Sequence, residues 1–234
     1  MSVIDELPDQ LYEGVRSYLA DKFGQDRETE LHRWLVYYKD DPSFLNQVYR
    51  LICSSSLADS MDETHSINDD ARGFSYQVVK DELIVRASEQ EASVPVQDAA
   101  SALQIMIDAC ESYLPLGSIV DLDKDLLSGA VEPASMGNFR VVISQRMAAA
   151  PGVPLYFNYG ATVYPVGTFK GCRSIYFTPD LIKDVIYVGF SDDTEKAYIA
   201  ALKTELLFKR NLSSYTFGIK EDRKRARDEV AAQE

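Results

Sequence analysis

The sequence predicts an α+β chain: a helical N-terminal region carrying a short β-hairpin, then a small, mainly antiparallel β-sheet domain closed by a C-terminal helix. Three observations carry this. Apolar residues recur three and four apart through most of the first 113 positions, the spacing of a one-sided helix. Beyond them the apolar residues fall into short runs punctuated by Gly and Pro, the mark of strands and turns. Tyr198, Leu202 and Leu206 then return to helical spacing.

Taken in order, Leu7, Leu11, Val15 and Leu19 share one helical face, and Leu31, Trp34, Leu35 and Tyr38 repeat the pattern before the break at Asp40–Pro42. A third helix starts near Ser43, where Pro42 fits a first turn whose N–H would have no partner, and buries Phe44, Leu45, Val48, Tyr49 and Ile52. Residues 54–73 are polar and read as a loop. FSYQVV and ELIVRAS flank Lys80–Asp81 as a hairpin. A second polar stretch, Glu89–Ser93, leads to Pro95, after which Val96, Ala99, Ala100, Leu103, Ile107 and Cys110 form a helical stripe ending near Tyr113. Strands follow at Gly117–Asp121, Phe139–Ser144, Leu155–Asn158, Ser174–Phe177 and Val185–Gly189. Asp192 with Glu195 three residues on is a capping-box variant that starts the closing helix. Three segments result: an acidic, mostly helical region over 1–113, a β-rich domain over 114–210, and a charged tail over 211–234 that is a solvated helix or disordered.

The 234 residues suffice to bury a core without disulfide or metal staples. Apolar runs fall far short of the ~20 residues of a membrane span, and the acidic start MSVIDELPDQ lacks the order of a signal peptide, so a cytoplasmic location is expected. Cys53, Cys110 and Cys172 are widely spaced and read as buried, inert thiols. The net charge of −13 lies wholly in residues 1–113, which hold 22 acidic and 9 basic side chains. Such a surface repels a nucleic-acid backbone and steers basic protein partners. The oligomeric state is not set by these features.

Candidate chemistry is sparse. Asp121, Asp123, Asp125 and Glu132 occupy the ligand positions of a calcium loop, but Leu126 stands where the sharp turn needs glycine. Asp59, Asp62, Glu63, Asp69 and Asp70 form an acidic cluster in the polar loop, with cation binding left open. His32 and His65 sit in no ligand motif, no nucleophile elbow or phosphate loop occurs, and Cys172 has an arginine neighbour, Arg173, but no histidine partner in sequence. No catalytic residue, cofactor or metal is therefore expected; an enzyme would need a site assembled from scattered residues such as Arg173, Asp180 and Asp184. The aromatic residues between 156 and 187 are the more informative set. Tyr156, Tyr159, Tyr164, Phe169 and Tyr176 are the candidate protein interface, since tyrosine brings large contact area with a polar tip. The alternative reading places most of them in the core.

The blocks LPLGSIV, FRVVI, LYFNYGATVYPVG and SIYFTPDLIKDVIYVGFSDD, followed by an amphipathic helix, resemble the domain of unknown function 4176 family of Gram-positive bacteria over residues 114–206. That family often sits near loci of type VII secretion toxins. The resemblance implies a non-enzymatic, cytoplasmic accessory or chaperone protein that holds a secreted toxin or its export domain. An immunity protein that neutralises the toxin is the alternative, and an enzyme with a non-motif site the second. The 113-residue N-terminal region and the insertion LLSGAVEPASMGN depart from the family pattern.

Overall fold

The computed structural model describes residues 3–24, 42–55, 65–87, 90–123, 139–168 and 174–232. The chain divides into two compact units: Leu11–Glu111, and Ser112–Glu234 together with residues 1–10. Helices at the N-terminal side, antiparallel sheets and a C-terminal helix make it α+β. The expected helix over 31–38 lies outside the described residues.

Helix α1 (Val3–Phe23) enters the first unit at Leu11, and there Leu11, Val15 and Leu19 are buried, the face set by the fourfold spacing. Helix α2 (Ser43–Ser55) buries Leu45, Val48 and Ile52 and packs against α3 (Val96–Cys110) and the sheet. The sheet is a four-stranded antiparallel meander in chain order: β1 (His65–Asp69), β2 (Phe74–Val79), β3 (Glu82–Ala87) and β4 (Gln90–Pro95). The hairpin at Lys80–Asp81 is present, with Lys80 at φ 55°. It is the centre of a larger sheet, because both flanking segments that read as polar loop are edge strands. Edge pairing rests on main-chain hydrogen bonds, so HSIND and QEASVP need little apolar pattern to join. One face buries Phe74, Tyr76, Val78, Leu83, Val85 and Val94. On the other, Arg86 donates to Glu91 at 2.6 Å and to Gln77 at 2.8 Å, and Ser93 donates to Glu82 at 2.7 Å. Helix α3 ends three residues before Tyr113, where Glu111 turns extended (φ −53°, ψ 130°).

The second unit is built on a six-stranded sheet. Its strands are β5 (Ile119–Leu122), β6 (Phe139–Ala149), β7 (Leu155–Val163), β8 (Ile175–Phe177), β9 (Ile182–Tyr187) and β10 (Ser213–Ser214). The order is β10-β7-β6-β5-β9, with β8 also on β7; only β10 runs parallel to its neighbour. β6 and β7 are longer than the sequence suggests because their pairing continues past a bulge at Ser144. Val120, Leu122, Val141, Ile143, Tyr159, Ala161 and Phe177 form the core of the sheet. Asp192 caps α4 (Asp193–Lys203) as the sequence predicts, accepting from the Glu195 N–H at 2.8 Å. Of the expected buried stripe, Leu206 is buried and Leu202 half-buried but Tyr198 is exposed; Ala200 and Lys203 are buried instead, and a π-helical turn over Thr204–Lys209 rotates the stripe. The charged tail contains α5 (Lys220–Ala232), and it is not wholly solvated. Ala226 and Val230 pack with Val153, Leu155 and Phe157 in a second core.

Candidate protein interface

The aromatic residues singled out by sequence divide between core and surface. Tyr156 and Tyr159 are 0% and 2% exposed, which corrects their reading as interface residues: β7 is covered on both faces over this stretch, so they complete the core. Tyr159 lies 5.3 Å from the Phe177 ring, and its hydroxyl accepts from the Leu114 N–H at 2.9 Å. Tyr176 is half-buried against Phe157, ring centroids 5.7 Å apart. Tyr164 is exposed at the end of β7, beside the cis Tyr164–Pro165 peptide. Phe169 lies outside the described residues. The four described positions therefore make no common surface.

The polar candidates also resolve into structural roles. Asp121 is a buried strand residue, not a loop ligand: Arg140 grips it with two hydrogen bonds of 2.7 and 2.9 Å. This hydrogen bonding raises the Arg140 pKa above its ordinary value, with burial acting the other way. Asp184 stands opposite Asp121 on β9, and like charges so placed repel unless a cation offsets them, which is the part Arg140 takes. Asp69 pairs with Arg72 at 3.0 Å. Asp180 and Asp184 are both exposed, and Cys53, expected to be buried, is exposed on α2. Asp59, Asp62, Glu63, Asp125, Glu132, His32, Cys172 and Arg173 lie outside the described residues. No group of three or more metal-ligating side chains is found among the described residues.

Inside the unit, a polar chain ties β7 to its neighbours. Ser214 donates to Asn158 at 2.9 Å, Asn158 donates to the Tyr113 hydroxyl at 3.3 Å, and the buried Lys203 ammonium lies 5.5 Å from the centroid of the Tyr113 ring. A second tie is the ion pair between Arg146 of β6 and Glu195 of α4, with side chains only 5% and 18% exposed. Both act within the fold.

The open feature is β9 and the residues after it. Among the described residues β9 pairs only with β5, so it is an edge. Val185, Ile186 and Val188 are each about half exposed, Tyr187 is 58% and Phe190 81% exposed. Val185 and Tyr187 pair with Val120 and Ile119, adjacent residues of β5 whose side chains lie on opposite faces, so this run exposes apolar surface on both. Gly189 brings Leu116 to the same place: a Cβ there would lie 2.2 Å from the Leu116 carbonyl oxygen, and its N–H donates to Ser118 Oγ at 2.9 Å. Leu116 is itself 46% exposed. At ~200 Å² for an aromatic side chain, Tyr187 and Phe190 alone leave about 280 Å² in water. With the aliphatic neighbours, this reaches the ~300–600 Å² of the largest patches on monomers, which are often functional. β9 is also bulged twice: the register skips Ile186, between Tyr187 and Val185, and Lys183, between Asp184 and Ile182.

Sequence reading missed this patch. The apolar run VIYVGF reads as a strand at Val185–Gly189, and its composition does not say whether its faces are covered. The strand order, which leaves β9 at the edge among the described residues, decides that.

The fold and site thus define a mainly antiparallel sheet unit in which, among the described residues, one edge strand exposes apolar side chains. Residues 113–198, which run from before β5 into α4, match the model of a family described as a domain of unknown function (DUF4176). Searches among curated proteins and among solved structures give no match. No described helix is long and apolar enough to cross a membrane.

Proposed function

We propose that the chain is a non-enzymatic protein-binding module whose docking surface is the ridge of Val185–Phe190 with Leu116. Its role is that of a cytoplasmic accessory or chaperone protein for a type VII secreted toxin of a Gram-positive bacterium. The observation that carries the binding reading is the exposure of Phe190 and Tyr187 beside four half-exposed aliphatic side chains on one edge. Apolar surface left in water at ~25 cal/mol per Å² favours a partner that covers it. The match of residues 113–198 supports the domain family alone, and the toxin context rests on the setting that the resemblance implies.

The test is co-expression with a type VII secreted toxin of the source organism, followed by co-purification of the wild-type chain and of Phe190→Asp. The wild type holds the toxin and Phe190→Asp releases it. Equal retention by both chains removes the ridge from the account, and retention by neither removes the toxin. Rescue of cells from the active toxin by this chain alone would favour the immunity role instead.

A further inference from the structure

Resting on the reading of the β9 edge as a docking surface, we infer that its occupant is a basic amphipathic helix of another protein. Three observations select it. The first is the double bulge. An added strand needs an unbroken row of main-chain donors and acceptors, and two bulges in a six-residue strand interrupt that row. The ridge therefore offers side chains rather than a ladder, and a helix meets side chains through anchors three and four residues apart.

The second is the rim. Asp180, Asp184 and Asp192 flank the ridge with Lys183 among them, a local balance of three acids to one base. Asp193 is paired with Lys196 at 3.1 Å, and Glu195 with Arg146, so these do not alter that balance. An acidic rim around an apolar centre is complemented by Lys or Arg beside apolar anchors.

The third is the charge of the whole chain. The chain carries −13, all of it from residues 1–113, so two copies repel one another as wholes, and an isologous contact at the ridge would also set acidic rim against acidic rim. A cationic partner is drawn to the chain as a whole by that net charge, while at the ridge itself the attraction comes from the local acids of the rim.

The probe is a fluorescent amphipathic helix built of Leu and Lys, compared with its Leu and Glu counterpart, in binding titrations followed by anisotropy. Leu/Lys peptide should bind the wild-type chain at least ten-fold more tightly than Leu/Glu peptide, and the difference should shrink as salt rises. Phe190→Asp makes the chain more acidic, so it would strengthen indiscriminate attraction; on this account it weakens Leu/Lys binding at least ten-fold. Asp184→Lys, which alters an exposed side chain, should weaken Leu/Lys binding several-fold and serves if Phe190→Asp fails to fold. Leu/Lys affinity untouched by both substitutions would place the peptide elsewhere and overturn the docking reading itself. Leu/Glu binding that equals Leu/Lys binding and is lost with Phe190→Asp would leave the docking surface standing and overturn the basic partner. A wild-type dimer in sedimentation that Phe190→Asp dissociates would assign the ridge to a second copy, and so overturn the inference.

Discussion

Gly189→Ala probes the joint that places the ridge. The new Cβ would sit 2.2 Å from the Leu116 carbonyl oxygen and 3.0 Å from the Ser118 nitrogen, both of them backbone atoms. Neither can swing aside as a side chain does, so the chain after β9 must move by about 1 Å to restore ordinary contact. That displacement strains the hydrogen bond from the Gly189 N–H to Ser118 Oγ, and Ser118 is itself buried and donates to the Pro115 carbonyl at 2.7 Å. Overpacking of this kind costs about 1–3 kcal/mol. For a chain of this size that is a fall in Tm of roughly 2–4 °C per kcal/mol. Thermal unfolding followed by circular dichroism reads the loss. Helix-probe binding should weaken in parallel, because Leu116 and Phe190 lie on either side of the contact that must open. An unchanged Tm with unchanged binding would refute the claim that Gly189 is held by close backbone approach.

Three further outcomes follow from the same geometry. Removing one member of the Arg146–Glu195 pair, as in Arg146→Met, leaves a carboxylate in a largely covered site and should cost about 3–5 kcal/mol in urea unfolding; replacing both should recover much of it. Tyr159→Phe deletes the acceptor of the Leu114 N–H and should cost about 1–3 kcal/mol by the same assay. The raised pKa of Arg140 adds stability that is fully present below its unfolded value and is lost only as pH rises through the still higher folded value. Stability linked to Arg140 should therefore be flat from neutral to moderately alkaline pH, and Arg140→Met should lower the unfolding midpoint equally across that window.

The sequence spoke clearly where local chemistry decides. The Asp192 cap, the Lys80–Asp81 hairpin and the fourfold stripe of α1 follow from short-range geometry, and the structure holds each of them. β1 and β4 were not legible, because an edge strand is held by its neighbour's main chain and HSIND carries a single aliphatic residue. Tyr198 points outward because the π-helical turn after Lys203 rotates the stripe by a step that regular periodicity does not contain. The ridge at 185–190 was illegible for a further reason. Hydrophobicity reports that a residue prefers cover, whereas strand order decides whether the chain itself supplies it, and β9 lies at the rim. Tyr156 and Tyr159 show the converse, amphipathic residues that the strand order encloses.

Hydrogen–deuterium exchange of the chain with and without the Leu/Lys helix probe tests the docking surface most directly. The account predicts slowed exchange at the amides of 185–190 and around Leu116 on complex formation, with β2 and β3 unchanged. Protection confined to other segments, with 185–190 exchanging as fast in the complex as alone, would contradict it.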